Sequence, residues 1–157
     1  MFRLKKRFIN LLQQAAQDSH LFNAIPGATT IINKLQQLDY CIAIATGGWH
    51  DSVIFKLQKA GINVTDIPIA SADDSSSREN IIKTVILKSK KWYEVDKFQK
   101  TVFVGDGAWD VKAATNLKLP FIGVGQDLAN KGTQHIIDNF IDYKNFQKIL
   151  IEAKFNK

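Results

Sequence analysis

The sequence predicts a three-layer α/β domain with a largely parallel sheet, and two observations support that prediction. From Ile25 onward, apolar runs of strand length alternate with longer segments of helical periodicity, which is the order typical of α/β domains. The 157 residues suit one such domain, because a chain of this size buries about 68–70% of its unfolded surface. We therefore expect one domain over residues 25–157, preceded by a separate helix.

That helix is predicted over residues 1–24, where apolar side chains recur at helical spacing: Leu4, Phe8, Leu11, Leu12 and Ala15. The basic residues fall mostly on its other faces. An amphipathic helix of this kind most often packs its apolar stripe on the domain. A partner surface and a membrane or nucleic-acid arm are the alternatives.

The first half of the domain carries clear start and stop signals. Pro26 suits the first turn of a helix, and Gly61 has the position that follows the end of another. These signals and the apolar runs predict helices over residues 26–38 and 50–60, and strands over residues 40–45 and 67–70.

The second half begins with a polar loop and then repeats the strand–helix alternation. Ser76 and Glu79 have the spacing of a capping box, which starts a long helix. β-Branched and aromatic residues favour the strands that follow. The pattern predicts helices over residues 77–92, 109–117 and 143–155, strands over 101–104 and 120–124, and a further short apolar run at 135–137.

Composition narrows the class of protein. Hydrophobic residues make up 45% and charged residues 23%, which excludes disordered, collagen-like and disulfide-rich chains. The single cysteine, Cys41, cannot form an internal disulfide and lies in an apolar run, so we expect a buried, reduced thiol and a cytoplasmic protein. No apolar stretch approaches the ~20 residues that span a bilayer, so we expect no membrane-spanning segment and do not count a membrane as the expected partner.

The charge of +6 admits nucleic acids, anionic membranes and phosphorylated small molecules as partners. The basic segment 2–8 is the feature that favours nucleic acid, and no recognisable nucleic-acid reading motif accompanies it. Nucleic-acid binding therefore ranks last among the functions considered.

Polar and flexible residues follow two of the predicted strands. Thr46, Gly47 and Gly48 end one strand, and Asp106 leaves another, with Asp110 four residues later at the start of a helix. Ligands of parallel sheets bind at the carboxyl ends of strands, where helix N-termini present free N–H groups. Two carboxylates at this spacing suit Mg²⁺ better than zinc.

Each of these residues also has an ordinary structural interpretation. The Gly105–Gly107 segment fits a simple turn, Asp110 fits a helix N-terminus, and Thr46 fits a strand-end cap. Taken together with a basic residue at the head of the long helix, however, they supply the separate parts of a Mg²⁺-dependent phosphate site in a consistent order.

With these residues, the chain resembles the haloacid dehalogenase-like (HAD) superfamily over residues 25–142, on a Rossmann-like sheet. Residues 42–46 resemble its second motif, which implies that the Thr46 hydroxyl holds a transferring phosphoryl group. Residues 105–110 resemble its fourth motif, GDxxxD, which implies that Asp106 and Asp110 hold Mg²⁺. Residues 120–125 and 135–138 are similar to the phosphoglycolate-phosphatase-like branch.

The third motif of the superfamily needs a Lys or Arg that neutralises charge at the phosphate. Arg78 is the best-placed candidate and Lys83 the second choice. The superfamily more often has Lys followed by Pro here, and a solvated arginine at a helix start is the alternative interpretation of Arg78.

The first motif, hhhhDxDx(T/V), supplies the aspartate nucleophile, and nothing before Thr46 matches it. The carboxylates there are Asp18 and Asp39, and neither follows an apolar strand. Since that motif lies on the central strand, we expect the core to lack its first strand and most of the cap. Either the neighbouring strands pair directly, or the N-terminal segment fills the gap, or another polypeptide supplies a strand.

The sequence thus supports three functions in order. The first is an incomplete core of a Mg²⁺-dependent phosphatase acting on small phosphorylated molecules, in which Thr46, Gly47 and Gly48 contact the phosphate. The second is a non-catalytic relative or partner-dependent binding domain, and the third is a basic nucleic-acid-binding module. A homodimer or a strand-supplying partner is expected from the missing strand, and catalysis by this chain alone is left open.

Overall fold

Helices and short strands alternate along the described residues, 2–17 and 22–155, of a computed structural model. The helices are α1 (Phe2–Ala15), α2 (Ala28–Gln37), α3 (His50–Lys59), α4 (Arg78–Trp92), α5 (Ala108–Leu117) and α6 (Tyr143–Glu152). The strands are β1 (Ile44–Ala45), β2 (Ile69–Ala70), β3 (Phe103–Gly105), β4 (Phe121–Val124) and β5 (His135–Ile137), and a 3-10 helix spans Gln126–Lys131.

The predicted α/β architecture is confirmed, but several boundaries differ. Strands β1 and β2 have two residues each, shorter than the apolar runs that predicted them. Helix α1 ends at Ala15, whereas the prediction extended over residues 1–24, of which 1 and 18–21 lie outside the described residues. The N-cap of α4 is Ser77, whose side chain accepts a hydrogen bond from the Asn80 amide, so the predicted cap at Ser76 is wrong by one residue.

The strands form two parallel sheets rather than one. Strand β1 pairs with β2, and β4 lies between β3 and β5. Among the described residues no backbone pairing joins β1 to β3, and we call this interval the sheet break. Direct pairing of the two strands is therefore not observed, and α1 is a helix that packs on α3 rather than a strand in the gap.

Helices cover both faces of the two sheets and hold them side by side. On one face, α4 packs on β1, β2 and α5, and α5 packs on β3 and β4. On the other face, Ile32 of α2 packs against two hydrophobic clusters, one around Ile122 of β4 and one around Ile67 before β2. The break therefore lies between edges that shared helices keep in one layer.

Side-chain burial is uneven between the sheets. In β4, Ile122 is 0% exposed, whereas every residue of β1 and β3 is only partly buried. Cys41, which precedes β1, is exposed, so the expectation of a buried thiol is wrong. The apolar run around it lies at the sheet break, where no neighbouring strand is paired to cover it.

Candidate functional site

The turn after β1 forms the first part of the candidate site. The Thr46 amide donates to the Ala70 carbonyl at 3.0 Å, which ties the end of β1 to β2. The Thr46 side-chain oxygen, Oγ1, then accepts from the Gly48 amide at 3.1 Å, and the Gly48 carbonyl accepts from the Ala72 amide at 3.1 Å. The hydroxyl is thus held at the strand end by a short polar turn.

Arg78 joins this turn to the second sheet. It is the first residue of α4, and its Nε and Nη2 atoms lie 2.7 and 2.6 Å from Oδ1 of Asp110. A Cβ atom placed on Gly47 would lie 3.8 Å from Arg78 Nη1, so the guanidinium also lies beside the turn after β1. The structure therefore brings residues of three separate sequence segments together.

Asp110 is the most buried ionisable group of the site, with 1% of its side chain exposed. Its Oδ2 accepts from the Gly107 amide at 3.2 Å, which caps α5. A Cβ atom on Gly105 would lie 2.6 Å from that oxygen, so a glycine at the end of β3 is what lets the carboxylate pack there. The two contacts from the Arg78 guanidinium compensate for the burial of this negative charge.

Asp106 and Lys83 have different surroundings from this pair. Asp106 is exposed at the end of β3, next to the glycine that Asp110 covers. Lys83 is exposed on α4. The hydrogen bond from Asn116 is the main cause of the lowered pKa of Glu79, and the charge of Lys83 adds to that lowering. Of the two basic candidates, Arg78 is the one that contacts Asp110.

The strand-end argument also applies to β2, although the polar loop that follows this strand is not among the predicted site residues. Asp74 accepts from the Ser71 amide at 2.9 Å and from Lys88 Nζ at 2.7 Å, and Lys88 also donates to the Ile69 carbonyl. The hydrogen bond from Lys88 is the main cause of the lowered pKa of Asp74. This loop supports the turn after β1 through the Ala72 amide.

Helix α1 contacts the same region from outside. Lys5 pairs with Asp73 and lowers the pKa of that carboxyl, and Asp73 also accepts from the His50 amide at 2.8 Å. The rings of Phe8 and Trp49 meet edge to face at 5.5 Å. Leu4 and Leu11 remain 61% and 53% exposed, so only part of the apolar stripe packs on the domain.

The two carboxylates of Asp106 and Asp110 suit a Mg²⁺ ion that also binds phosphate oxygens better than a Mg²⁺ ion held by protein ligands alone. Asp106 and Asp110 are hard oxygen ligands, and Mg²⁺ in proteins often uses one or two carboxylates together with phosphate oxygens and water. Within residues 2–17 and 22–155, no cluster of three or more His, Cys, Asp or Glu residues could hold a metal ion. A pocket of about 650 Å³ beside β2, lined by Ile54, Pro68 and Trp92 among others, lies apart from these residues.

A comparison with known protein families identifies the family of this chain. Residues 3–124 match the family described as haloacid dehalogenase-like hydrolase. The chain belongs to this family. The comparison with curated proteins gave no match.

Two solved structures have a similar fold. A hydrolase from Pseudomonas syringae has 22% sequence identity and a TM-score of 0.68, and the match covers 87% of this chain and 65% of that one. A Bacteroides vulgatus protein assigned as a β-phosphoglucomutase has 16% identity and a TM-score of 0.58, over 84% and 55% of the two chains. This HAD-like chain thus spans less than two thirds of either structure.

No helix in the described part of the chain is long and apolar enough to cross a bilayer.

Proposed function

We propose that this chain is the core of a cytoplasmic, Mg²⁺-dependent phosphatase and binds the phosphate group of a small phosphomonoester. The observation that carries the proposal is the meeting of the Thr46 turn, Arg78 and Asp110 at the ends of two sheets. The Arg78 guanidinium lies beside the turn that carries the Thr46 hydroxyl and also pairs with the buried Asp110 carboxylate. Their chemistry suits an oxyanion and a divalent cation.

Arg78 supports phosphate binding because some of its N–H groups face Asp110 and others face the turn after β1. Nε and Nη2 are taken by Asp110, whereas Nη1 lies beside Gly47 and makes no hydrogen bond within the described residues. The Thr46 hydroxyl lies in the same turn. A phosphate at this turn would accept hydrogen bonds from the guanidinium and the hydroxyl, and the positive charge would offset that of the phosphate.

Asp106 and Asp110 are the residues that would hold Mg²⁺. When bound, the cation would offset negative charge on the phosphoryl oxygens. The positive charge of Arg78 already balances the negative charge of Asp110, and Asp106 is exposed. We therefore expect Mg²⁺ and phosphate to bind cooperatively, because the phosphate supplies oxygen ligands that two carboxylates alone do not.

Phosphate binding and hydrolysis test the proposal together. Calorimetric titration with inorganic phosphate, with and without Mg²⁺, would be compared for the natural chain, Asp106→Asn and the matched control Asp96→Asn, an exposed aspartate in the loop after α4. Phosphate binding that Mg²⁺ strengthens about tenfold or more, corresponding to a coupling of about 1.4 kcal/mol, and that Asp106→Asn weakens would support it. Absence of phosphate binding in all three proteins would overturn it.

Hydrolysis of an aryl phosphate and of a small phosphomonoester panel separates binding from catalysis. Mg²⁺-dependent turnover that Asp106→Asn abolishes would identify a complete phosphatase. Phosphate binding without turnover would identify a non-catalytic or partner-dependent domain. Salt-sensitive binding of DNA or RNA, with no phosphate binding, would instead favour the nucleic-acid module.

A further inference from the structure

We propose that the cavity beside β2 binds a small apolar molecule that carries one carboxylate. The cavity has a volume of about 650 Å³, and small-molecule sites in proteins have volumes of about 300–1,000 Å³. It is lined by α3, by the segment that leads into β2 and by the last turns of α4. Within the described part of the chain, none of the residues proposed to hold phosphate or Mg²⁺ lines it. The proposal therefore does not rest on the phosphate chemistry.

The apolar part of the lining is packed in place by its own neighbours. Ile62, Val64 and Ile67 form a buried cluster, and Ile54 and Ile69 pack against it. All five side chains line the cavity. A hydrocarbon group bound here would contact this ordered surface, and the removal of its methylene groups from water would favour binding.

Trp92 adds an aromatic ring to the lining. It is the last residue of α4, and 54% of it is exposed to solvent. A partly exposed indole offers a large apolar contact area to a ligand. Its ring N–H also provides a spectroscopic signal that belongs to this cavity.

The charge of the lining indicates an anion. Apart from His50, its titratable side chains are Lys88 and Lys91, and no Asp or Glu of the described ranges lines the cavity. Lys88 Nζ is already paired, at 2.7 Å from Oδ1 of Asp74 and 2.9 Å from the Ile69 carbonyl oxygen. Lys91 is exposed and makes no hydrogen bond or ion pair within the described residues.

The positive charge of Lys91 is thus unbalanced at the cavity, which favours a ligand with a single negative charge. A carboxylate carries one such charge, whereas a phosphomonoester carries about 1.5–2. The ligand class that fits both the charge and the apolar wall is an apolar carboxylate.

Helix stability alone does not distinguish Lys91 from its neighbour. Lys90 and Lys91 both lie in the last turn of α4, where positive charges interact favourably with the helix dipole. Lys91 lines the cavity and Lys90 does not. The two lysines therefore form a matched pair for testing the cavity.

Calorimetric titration with octanoate, octanol and butyrate tests the ligand class. Octanol lacks the charge of octanoate, and butyrate lacks half of its hydrocarbon chain. We expect octanoate to bind about threefold or more tightly than octanol, and about tenfold or more tightly than butyrate, because the longer chain buries more methylene groups. Absence of octanoate binding, or octanoate binding no tighter than that of either other probe, would overturn the proposal.

Lys91→Gln tests the cation, with Lys90→Gln as the matched control. We expect Lys91→Gln to weaken octanoate binding about three- to fivefold, as for the loss of a partly exposed ion pair, and to leave octanol binding unchanged. Lys90→Gln should bind both probes like the natural chain. Equal weakening of octanoate in the two variants would show a response to net charge alone and would contradict a carboxylate site in the cavity.

Filling the cavity tests where octanoate binds. Gln58 is exposed on α3 and lines the cavity, whereas Gln36 is exposed on α2 outside it. We expect Gln58→Trp to weaken octanoate binding about tenfold or more, because the indole occupies the space of the ligand, and Gln36→Trp to leave it unchanged. Unchanged binding in Gln58→Trp would place octanoate elsewhere and overturn the proposal.

Nuclear magnetic resonance gives an independent readout in the natural chain. Octanoate is expected to shift the indole N–H signal of Trp92 and not that of Trp109, which is 65% exposed on α5. Equal shifts of the two signals would show adsorption on exposed aromatic rings in general and would contradict binding in this cavity.

Discussion

The two sheets are built from similar apolar runs but are held in different ways. Strand β4 has a partner on each side and its Ile122 is completely buried. Strand β1 pairs with β2 alone, and the hydroxyl of Tyr93 contacts the backbone of Ile42 just before it, donating to the carbonyl at 2.7 Å and accepting from the amide at 3.1 Å. Where a strand partner is lacking, side chains from the helices take over part of its role.

This difference matters for the site because the site spans both sheets. Thr46 follows β1 of the two-stranded sheet, and Asp110 lies on α5, which follows β3 of the three-stranded sheet. Arg78 pairs with Asp110 and lies beside the turn that contains Thr46. The geometry at Thr46 thus depends on the less supported sheet. Substitutions in each sheet, and in the link between them, measure how much each set of contacts contributes to the free energy of unfolding.

The largest effect is expected in the three-stranded sheet. Ile122→Ala removes a side chain that is 0% exposed, and deletions of this kind cost about 2–5 kcal/mol of unfolding free energy. The control is Leu87→Ala, which truncates a side chain that is 61% exposed on α4; there we expect a change within about 0.5 kcal/mol. Denaturant unfolding measures both. Equal losses would show that β4 is not the better-packed region.

The next effect is at the link between the sheets. Asp110→Asn removes the charge that accepts both hydrogen bonds from Arg78, and hydrogen bonds to charged groups contribute about 1.5–3 kcal/mol. We expect a loss near the lower end, because 21% of the Arg78 side chain is exposed and water partly replaces its partner.

A double-mutant cycle with Arg78→Gln isolates that link. Coupling is expected between the two positions, because each substitution alone leaves the other partner without its contact. Strictly additive losses would show that the ion pair does not connect the two sheets energetically.

Tyr93→Phe tests the side-chain support of the two-stranded sheet. The substitution removes both contacts to Ile42, for which we expect a loss of about 1–2 kcal/mol at neutral pH, since each hydrogen bond contributes about 0.5–1.5 kcal/mol. Tyr40→Phe, a partly buried tyrosine at the start of the same apolar run, is the control. Chemical unfolding with hydrogen exchange at β1 would show whether the loss is local.

The same tyrosine gives a pH prediction. Burial raises the pKa of Tyr93 above its ordinary value of 10.0, so the folded state favours the neutral phenol. The stabilisation from this group is complete below pH 10 and is lost as the pH rises through the raised pKa. The natural chain should therefore lose stability above pH 10 more steeply than Tyr93→Phe, and parallel curves would contradict the assignment.

The element order could be predicted because it depends on local signals. Apolar periodicity identifies a helix such as α4 without knowledge of its neighbours, and the residues at strand ends identify Thr46, Asp106 and Asp110 as a group. What lies beside β1 could be stated only as three alternatives, since pairing of β1 depends on a distant strand, and two of these, direct pairing with β3 and filling by the N-terminal segment, are not observed. Cys41 was misassigned for that reason: its burial requires a neighbour that the local sequence does not specify.

The contacts between site side chains were harder to predict than the positions of the site residues in the fold. Strand-end residues were chosen by location, but nothing in the sequence specifies that the Arg78 guanidinium contacts Asp110 rather than solvent. The Ser71–Asp74 loop shows the opposite case. It follows β2 directly, so the strand-end rule was sufficient to find it and was simply not applied there.

The smallest effect is expected at that loop. The hydrogen bond from Lys88 lowers the pKa of Asp74 below its ordinary 3.8, so its contribution is present above that value and is lost as the pH falls through the lowered pKa. Both side chains are partly exposed, 43% for Lys88 and 26% for Asp74, and such pairs contribute about 0–1 kcal/mol.

Asp74→Asn should therefore unfold at nearly the natural midpoint at pH 7 and show a shallower loss of stability below about pH 4. Asp96→Asn serves as the control for the change in net charge. Because Asp74 orients the loop whose Ala72 amide contacts Gly48, phosphate affinity is expected to fall more than stability does in Asp74→Asn. Unchanged phosphate affinity would show that the turn at Thr46 keeps its shape without this loop, and that the two-stranded sheet needs less support than its exposed edge suggests.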